Sequence, residues 1–167
     1  MSNKQIYAEI VAKINKEIKS INIHDHLVKT TDVDDHPDLT DVHPRDRNDL
    51  NMFFLNITEE LFPETFKIIK KDKQIRDGLL IAFAPHSQIY THVDEPNIEP
   101  YGEIDWYSVF IGIEIPSFDK NKVAVKVGDT VFDHSDYIIF DPQIPHSAWN
   151  RTDDWWISVR LAIKKEE

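Results

Sequence analysis

The sequence predicts a mainly β protein with helices at its N-terminal end. Three observations point that way. From about residue 76 to 164 the chain breaks into short β-rich runs punctuated by Gly, Pro, Asn and Asp. One of these runs, Lys122 to Val127, alternates strictly, with Val123, Val125 and Val127 on one face and Lys122, Ala124 and Lys126 on the other. Helical spacing of apolar residues is confined to the first seventy or so positions. Close-spaced short strands with turn signals between them indicate an all-β barrel or jelly roll.

In chain order, Ile6, Tyr7, Ile10, Val11, Ile14 and Ile18 fall at helical spacing between Lys and Glu, which predicts an amphipathic helix over 3–19. Residues 23–49 have little apolar periodicity and read as a long His-, Asp- and Pro-rich loop. Its His24, Asp25, His26, Asp34, Asp35, His36, His43 and Asp46 read first as solvated turn chemistry; a lid over an active site is the functional alternative. Leu50, Phe53, Phe54, Ile57, Leu61 and Phe62 repeat the helical spacing, and Pro63 opens a further helical segment carrying Phe66 and Ile69. The helices are expected to cover one face of the sheet, because runs that are apolar on both sides need a cover. The strand candidates are 78–83, 87–92, 106–115, 122–127, 130–132, 137–140 and 155–163.

At 167 residues, 41% of them hydrophobic, the chain reads as one domain over 1–167. Residues 1–75 supply the helical cover and the loop, and 76–164 the β core. With no Cys, disulfides and thiolate chemistry are excluded. No apolar run reaches membrane-spanning length and no signal-peptide pattern opens the chain, so the expectation is a cytoplasmic protein without a membrane partner. A net charge of −11 argues against a nucleic-acid partner.

The chemistry-bearing pattern is His92-Val93-Asp94, followed roughly fifty residues later by His146. On a strand, residues i and i+2 share a face, so His92 and Asp94 can point to one ion, with His146 arriving from a neighbouring strand. Two His and one carboxylate on one face leave the opposite positions open, the ligand set of non-haem Fe(II) oxygenases. The H-x-D…H order fits a double-stranded β-helix, a cupin-like jelly roll. In a chain with 8 His and 30 Asp and Glu, an isolated H-x-D can also be a strand-edge pair without a metal.

Residues 81–116 (IAFAPHSQIYTHVDEPNIEPYGEIDWYSVFIGIEIP) and 125–150 (VKVGDTVFDHSDYIIFDPQIPHSAWN) resemble the aspartyl/asparaginyl β-hydroxylase family. The matching positions are Pro85, His92, Gly112, Ile115, Pro116, Val127, Gly128, Phe140, Asp141, His146, Trp149 and Asn150. The resemblance implies a double-stranded β-helix hydroxylase using Fe(II), O₂ and 2-oxoglutarate, acting on a C–H bond of an amino-acid-like or peptidyl substrate. It implies His92, Asp94 and His146 as both the metal ligands and the catalytic centre. The carboxylate at Asp94 favours hydroxylation over halogenation.

The chain departs from the family at two arginines that hold 2-oxoglutarate. Ser108 and Phe110 stand where an R-x-H strand pattern is usual, and Trp156 stands where an Arg follows the distal His. The replacement candidate is Arg160, fourteen residues beyond His146, on a strand face shared with Trp156 and Ser158. A hairpin over 150–156 would bring Arg160 opposite His146, where a guanidinium fork and the Ser158 hydroxyl could take a carboxylate. Tyr90, two residues before His92, is expected on the ligand face beside the same co-substrate. Trp149 and Asn150 read as a packing residue and a turn former, and His86 as a turn residue. Two readings from other classes remain open: a non-catalytic metal-binding β-helix module, and a cupin-type metalloenzyme that does not use 2-oxoglutarate.

Overall fold

A computed structural model describes residues 3–29, 52–94, 105–134 and 136–165. Helix α1 (Asn3–Ile18) matches the predicted amphipathic segment, burying Tyr7, Ile10 and Ile14 along one stripe. A single 3-10 turn (Ile23–Asp25) carries His24, Asp25 and His26, and His24 lies edge-on to Trp155 with ring centroids 4.8 Å apart. The rest of the predicted His- and Asp-rich loop, with Asp34, Asp35, His36, His43 and Asp46, lies outside the described residues.

Strand β1 (Val28–Lys29) pairs with β2 (Met52–Asn56), and β2 corrects the sequence reading. The run around Phe53, Phe54 and Ile57 has helical spacing, yet Met52 to Asn56 pair antiparallel with a third strand. The spacing misleads because this strand is apolar on both sides. Leu55 and Phe53 join the helix-covered core, while Met52 and Phe54 join the core between the sheets. Without polar alternation, periodicity cannot separate a doubly covered strand from a helix.

Helix α2 (Pro63–Lys71) starts at Pro63 as predicted and has no side-chain cap of its own. Its N-terminus is capped from α1: Glu17 accepts from Glu64 N–H at 2.7 Å, Thr65 N–H at 3.4 Å and Thr65 Oγ1 at 2.6 Å. A carboxylate at a helix N-terminus satisfies free N–H donors and meets the positive end of the helix dipole. That bond set ties the two helices into one cover.

Strands β3 (Ile75–Phe83), β4 (Ser87–His92), β5 (Trp106–Glu114), β6 (Val123–Val127), β7 (Thr130–Phe132), β8 (Ile138–Phe140), β9 (His146–Asn150) and β10 (Trp156–Lys164) follow the predicted runs closely. They form two antiparallel sheets, one of six strands in the order β1-β2-β3-β10-β5-β8 and one of four in the order β4-β9-β6-β7. The two sheets enclose an apolar core in a jelly-roll arrangement. α1 and α2 pack on the far side of the larger sheet.

The larger sheet is therefore buried on both faces. Its outer face presents Leu80, Ala82, Val109, Ile111, Ile157, Val159 and Leu161 to the helices. Gly78 permits close approach there, since a Cβ would stand 2.9 Å from both Ile69 Cδ1 and Leu161 Cδ2. The inner face presents Ile81, Phe83, Phe110, Ile138 and Trp156 to Val123, Val125 and Ala148 of the smaller sheet.

Residues 150–156 are not a hairpin. β9 belongs to the smaller sheet and β10 to the larger, where it pairs with β3 and β5. The segment crosses between the layers and is held by Asn150, which is fully buried. Asn150 Nδ2 donates to the carbonyls of Phe83, Ala84 and Asp154, and its Oδ1 accepts from Thr152 N–H and Oγ1. His86, in the left-handed region at φ 54°, does sit in a turn, 2.7 Å from Asp153.

Candidate metal centre

His92 ends β4 and His146 opens β9, and the two are direct cross-strand partners. Their rings lie 4.3 Å apart, and Asp94, just past β4, places Oδ1 3.5 Å from Nε2 of each. One potential ligand atom from each residue falls within 4.8 Å of the others, and this is the only such cluster among the described residues. Donors bound at about 2.0–2.2 Å to one ion stand roughly 3–3.5 Å apart, and the 3.5 Å from Asp94 Oδ1 to each Nε2 fits that spacing.

The imidazoles are oriented alike. His92 Nδ1 bonds the Tyr90 carbonyl at 2.7 Å, and His146 Nδ1 bonds the Ile144 carbonyl at 2.8 Å. A carbonyl only accepts, so each Nδ1 carries a proton, which turns Nε2 of both rings toward Asp94 as the atom that can ligate a metal. Burial opposes charge on Asp94, but His146 and His92, which when protonated at Nε2 donate to the carboxylate and face it with positive charge, outweigh it and hold the carboxyl well below the usual range. The acid is thus ionised and ready to ligate at neutral pH.

The Phe140-Asp141 pair builds the floor of this cluster. Phe140 packs on His146 with centroids 4.9 Å apart. Asp141 accepts from Gln143 N–H at 3.0 Å and from Lys165 Nζ at 2.6 Å. Burial works against the charge on Asp141, yet Lys165 and the Gln143 N–H keep its carboxyl below the ordinary value. The turn so fixed presents the Pro142 carbonyl to Asp94 N–H at 2.9 Å and the Ile144 carbonyl to His146. Trp149 and Asn150 are structural: Trp149 Nε1 donates to the Lys120 carbonyl, and Asn150 locks the layer crossing.

Residues 50–161, about two-thirds of the chain, match the family model for aspartyl/asparaginyl beta-hydroxylase. The chain belongs to that family. Among solved structures it is similar to a prolyl-4-hydroxylase from Pseudomonas putida, at 9% identity and TM-score 0.57, over 95% of this chain and 88% of that one. It is also similar to a viral collagen prolyl hydroxylase from Paramecium Bursaria Chlorella virus-1, solved as a 2OG complex. There the identity is 14% and the TM-score 0.52, over 70% of this chain and 80% of that one. At such identities the likeness is one of fold. A search among curated proteins gives no match. No helix among the described residues is long and apolar enough to cross a membrane.

Within this hydroxylase-family fold, the other predicted site residues separate. Arg160 lies on the inner face as expected, but by a different route. It is opposite Leu79 on β3 and Phe110 on β5, not opposite His146. The next pair along β5 and β8 toward the ligands is Ser108 and Phe140, whose ring touches His146. Arg160 NH1 bonds Asp77 Oδ1 at 3.0 Å, a partner the sequence did not suggest. Ser158 is fully buried on the same face and its Oγ has no hydrogen-bond partner.

Tyr90 is misplaced by the sequence reading. Ile89 faces Ala148 and His92 faces His146, so three steps on β4 answer two on β9. This β-bulge breaks the alternation and leaves both Ile89 and His92 pointing inward. Tyr90 turns instead to the outer side with Gln88, whose Nε2 donates to its hydroxyl at 3.2 Å.

Sequence reasoning also missed His134. It follows β7, is 4% exposed, and neither ring nitrogen has a partner. Its ring stands 4.6 Å from Trp156 and 5.8 Å from Phe110. Burial pushes its pKa down to about 4, against a smaller upward pull from Asp133. The available signal was parity: Phe132 faces the inner core, and two residues on the same side follows.

Proposed function

We propose that this protein is an Fe(II)- and 2-oxoglutarate-dependent oxygenase, with residues 1–167 acting as one unit, that hydroxylates a C–H bond of an amino-acid-like or peptidyl substrate. One observation carries the reading: His92, Asp94 and His146 converge, with main-chain hydrogen bonds at Nδ1 turning both Nε2 atoms toward the Asp94 carboxylate. Two imidazoles and one carboxylate suit Fe(II) and leave coordination positions for O₂ and a chelating co-substrate. When bound, the iron would supply the oxidising chemistry; the protein binds, orients and excludes water.

The residues near the cluster support a dicarboxylate co-substrate. The Arg160 guanidinium makes one bond, to Asp77, and a guanidinium has five N–H donors in all. The orphaned Ser158 hydroxyl lies two residues away on the same face. Together they offer a carboxylate a charge-assisted fork and a hydroxyl in the inter-sheet core. Asp77, half exposed, holds the Arg160 head before the acid arrives.

Anaerobic Fe(II) titration, with and without 2-oxoglutarate, tests the reading. His92→Ala, Asp94→Ala and His146→Ala should each lose stoichiometric Fe(II) binding, since two remaining ligands compete poorly with water. Arg160→Ala should keep Fe(II) and bind 2-oxoglutarate about ten- to hundredfold more weakly, the worth of roughly 1.5–3 kcal/mol for a hydrogen-bonded charge. Arg160→Lys should recover part of that loss. Three ligand variants that bind Fe(II) like the parent would overturn the metal assignment.

A further inference from the structure

The core between the two sheets holds three polar side chains that the metal cluster does not use, two on β10 and one just after β7. Trp156 Nε1, Ser158 Oγ and both ring nitrogens of His134 are buried and without hydrogen-bond partners. These residues are 0%, 0% and 4% exposed. A buried polar group without a partner is costly, so three in one patch of a packed core mark a place built for something else.

The three converge. Ser158 is the cross-strand partner of Gly112. A Cβ on Gly112 would lie 3.4 Å from His134 Cβ and would overlap Ile115, so the absent side chain at Gly112 is what lets His134 sit beside Ser158. The same imidazole packs at a tilt against Trp156, which precedes Ser158 by two residues on that face. Arg160 follows Ser158 by two, roughly 7 Å along the strand. The face therefore reads, in order away from the layer crossing, indole N–H, hydroxyl with imidazole, and guanidinium.

We propose that His134 is a co-substrate-binding residue, its ring N–H joining the Ser158 hydroxyl and Arg160 around the carboxylate remote from the metal. This rests on the 2-oxoglutarate reading above and assigns it a donor from the segment after β7, outside both strands where sequence placed the acid's partners. The burial that keeps the imidazole neutral at physiological pH leaves it one N–H to give to a carboxylate. A neutral donor adds direction to the pocket without adding to the charge of Arg160.

The test compares two acids that share the chelating end and differ at the far end. Fe(II)-loaded full-length protein is titrated anaerobically with 2-oxoglutarate and with pyruvate, following the visible charge-transfer band of the chelate. His134→Phe should weaken 2-oxoglutarate roughly three- to tenfold, the range of one neutral hydrogen bond, and leave pyruvate within about twofold. His134→Gln, which keeps an N–H, should restore most of the difference. On the unsubstituted protein, loaded with Zn(II) and labelled with ¹⁵N, the His134 ring signals should move on addition of 2-oxoglutarate and stay in place with pyruvate. Equal weakening of both acids, or no weakening of either, overturns the role of His134 and leaves the Arg160 reading standing. A parent protein that binds 2-oxoglutarate no more tightly than pyruvate overturns the co-substrate reading itself, and the role of His134 with it.

Discussion

The two faces of β10 are made from one nine-residue strand and behave as different materials. The face toward the helices carries Ile157, Val159, Leu161 and Ile163 and belongs to a continuous apolar core. The face toward the smaller sheet carries Trp156, Ser158, Arg160 and Ala162, with two polar atoms orphaned and a guanidinium tied to a half-exposed carboxylate. The first face holds the fold together by excluding water. The second tolerates unmet hydrogen bonds, and such groups persist in a packed interior where a ligand meets them. An apolar face and a partly polar one are thus separated by the thickness of a single strand.

Substitution on the helix side should give the largest loss of stability. Leu161 is fully buried against Ile69 and the neighbouring strands, so Leu161→Ala should destabilise by about 2–5 kcal/mol. Urea unfolding should report this with Fe(II) affinity of the folded fraction intact. A loss below about 1 kcal/mol would mean that the helix-covered core is not what holds β10.

Acid should act through the other face. The His134 pKa is depressed to about 4 in the fold, against about 6.5 in the unfolded chain. Between these values the unfolded state binds more protons, so stability rises with pH. Full stability is therefore present above about pH 7, and the loss is complete by about pH 4. It amounts to roughly 3 kcal/mol as an order of magnitude. Denaturation midpoints of parent and His134→Phe should converge in shape above pH 7 and diverge below it, the parent falling more steeply. Parallel curves throughout would show that the imidazole is solvated.

The smallest effect on stability belongs to Ser158→Ala. Removing a hydroxyl that already lacks a partner should leave stability within about 1 kcal/mol of the parent, or raise it, because the lost group was an uncompensated burial. The same substitution should weaken 2-oxoglutarate. A loss of 2 kcal/mol or more would reveal a hydrogen bond for Ser158 in the free protein and blur the contrast between the two faces.

Much of this was readable in the linear chain. The strand runs from Ile75 to Lys164, the helix over residues 3–18, the Pro63 helix start and the His92, Asp94, His146 set follow from patterns that local physics makes explicit: period, turn chemistry and ligand type. The inward parity of Ser158 and Arg160 follows from strand alternation in the same way. The errors came where a non-local partner decides. Met52–Asn56 has helical spacing, but pairing with β3 and apolar cover on both sides made it a strand. Tyr90 shares parity with His92 in sequence, but a bulge against β9 reversed it. Residues 150–156 look like a hairpin, yet the Asn150 hydrogen bonds carry the chain from one sheet to the other. His134 shows no motif and gains meaning from the bare Gly112 beneath it and Trp156 beside it. Periodicity and residue chemistry are encoded within a few neighbouring positions, so the sequence specifies them directly. Register, bulges, layer crossings and unmet buried hydrogen bonds are properties of pairs distant along the chain, and packing alone settles them.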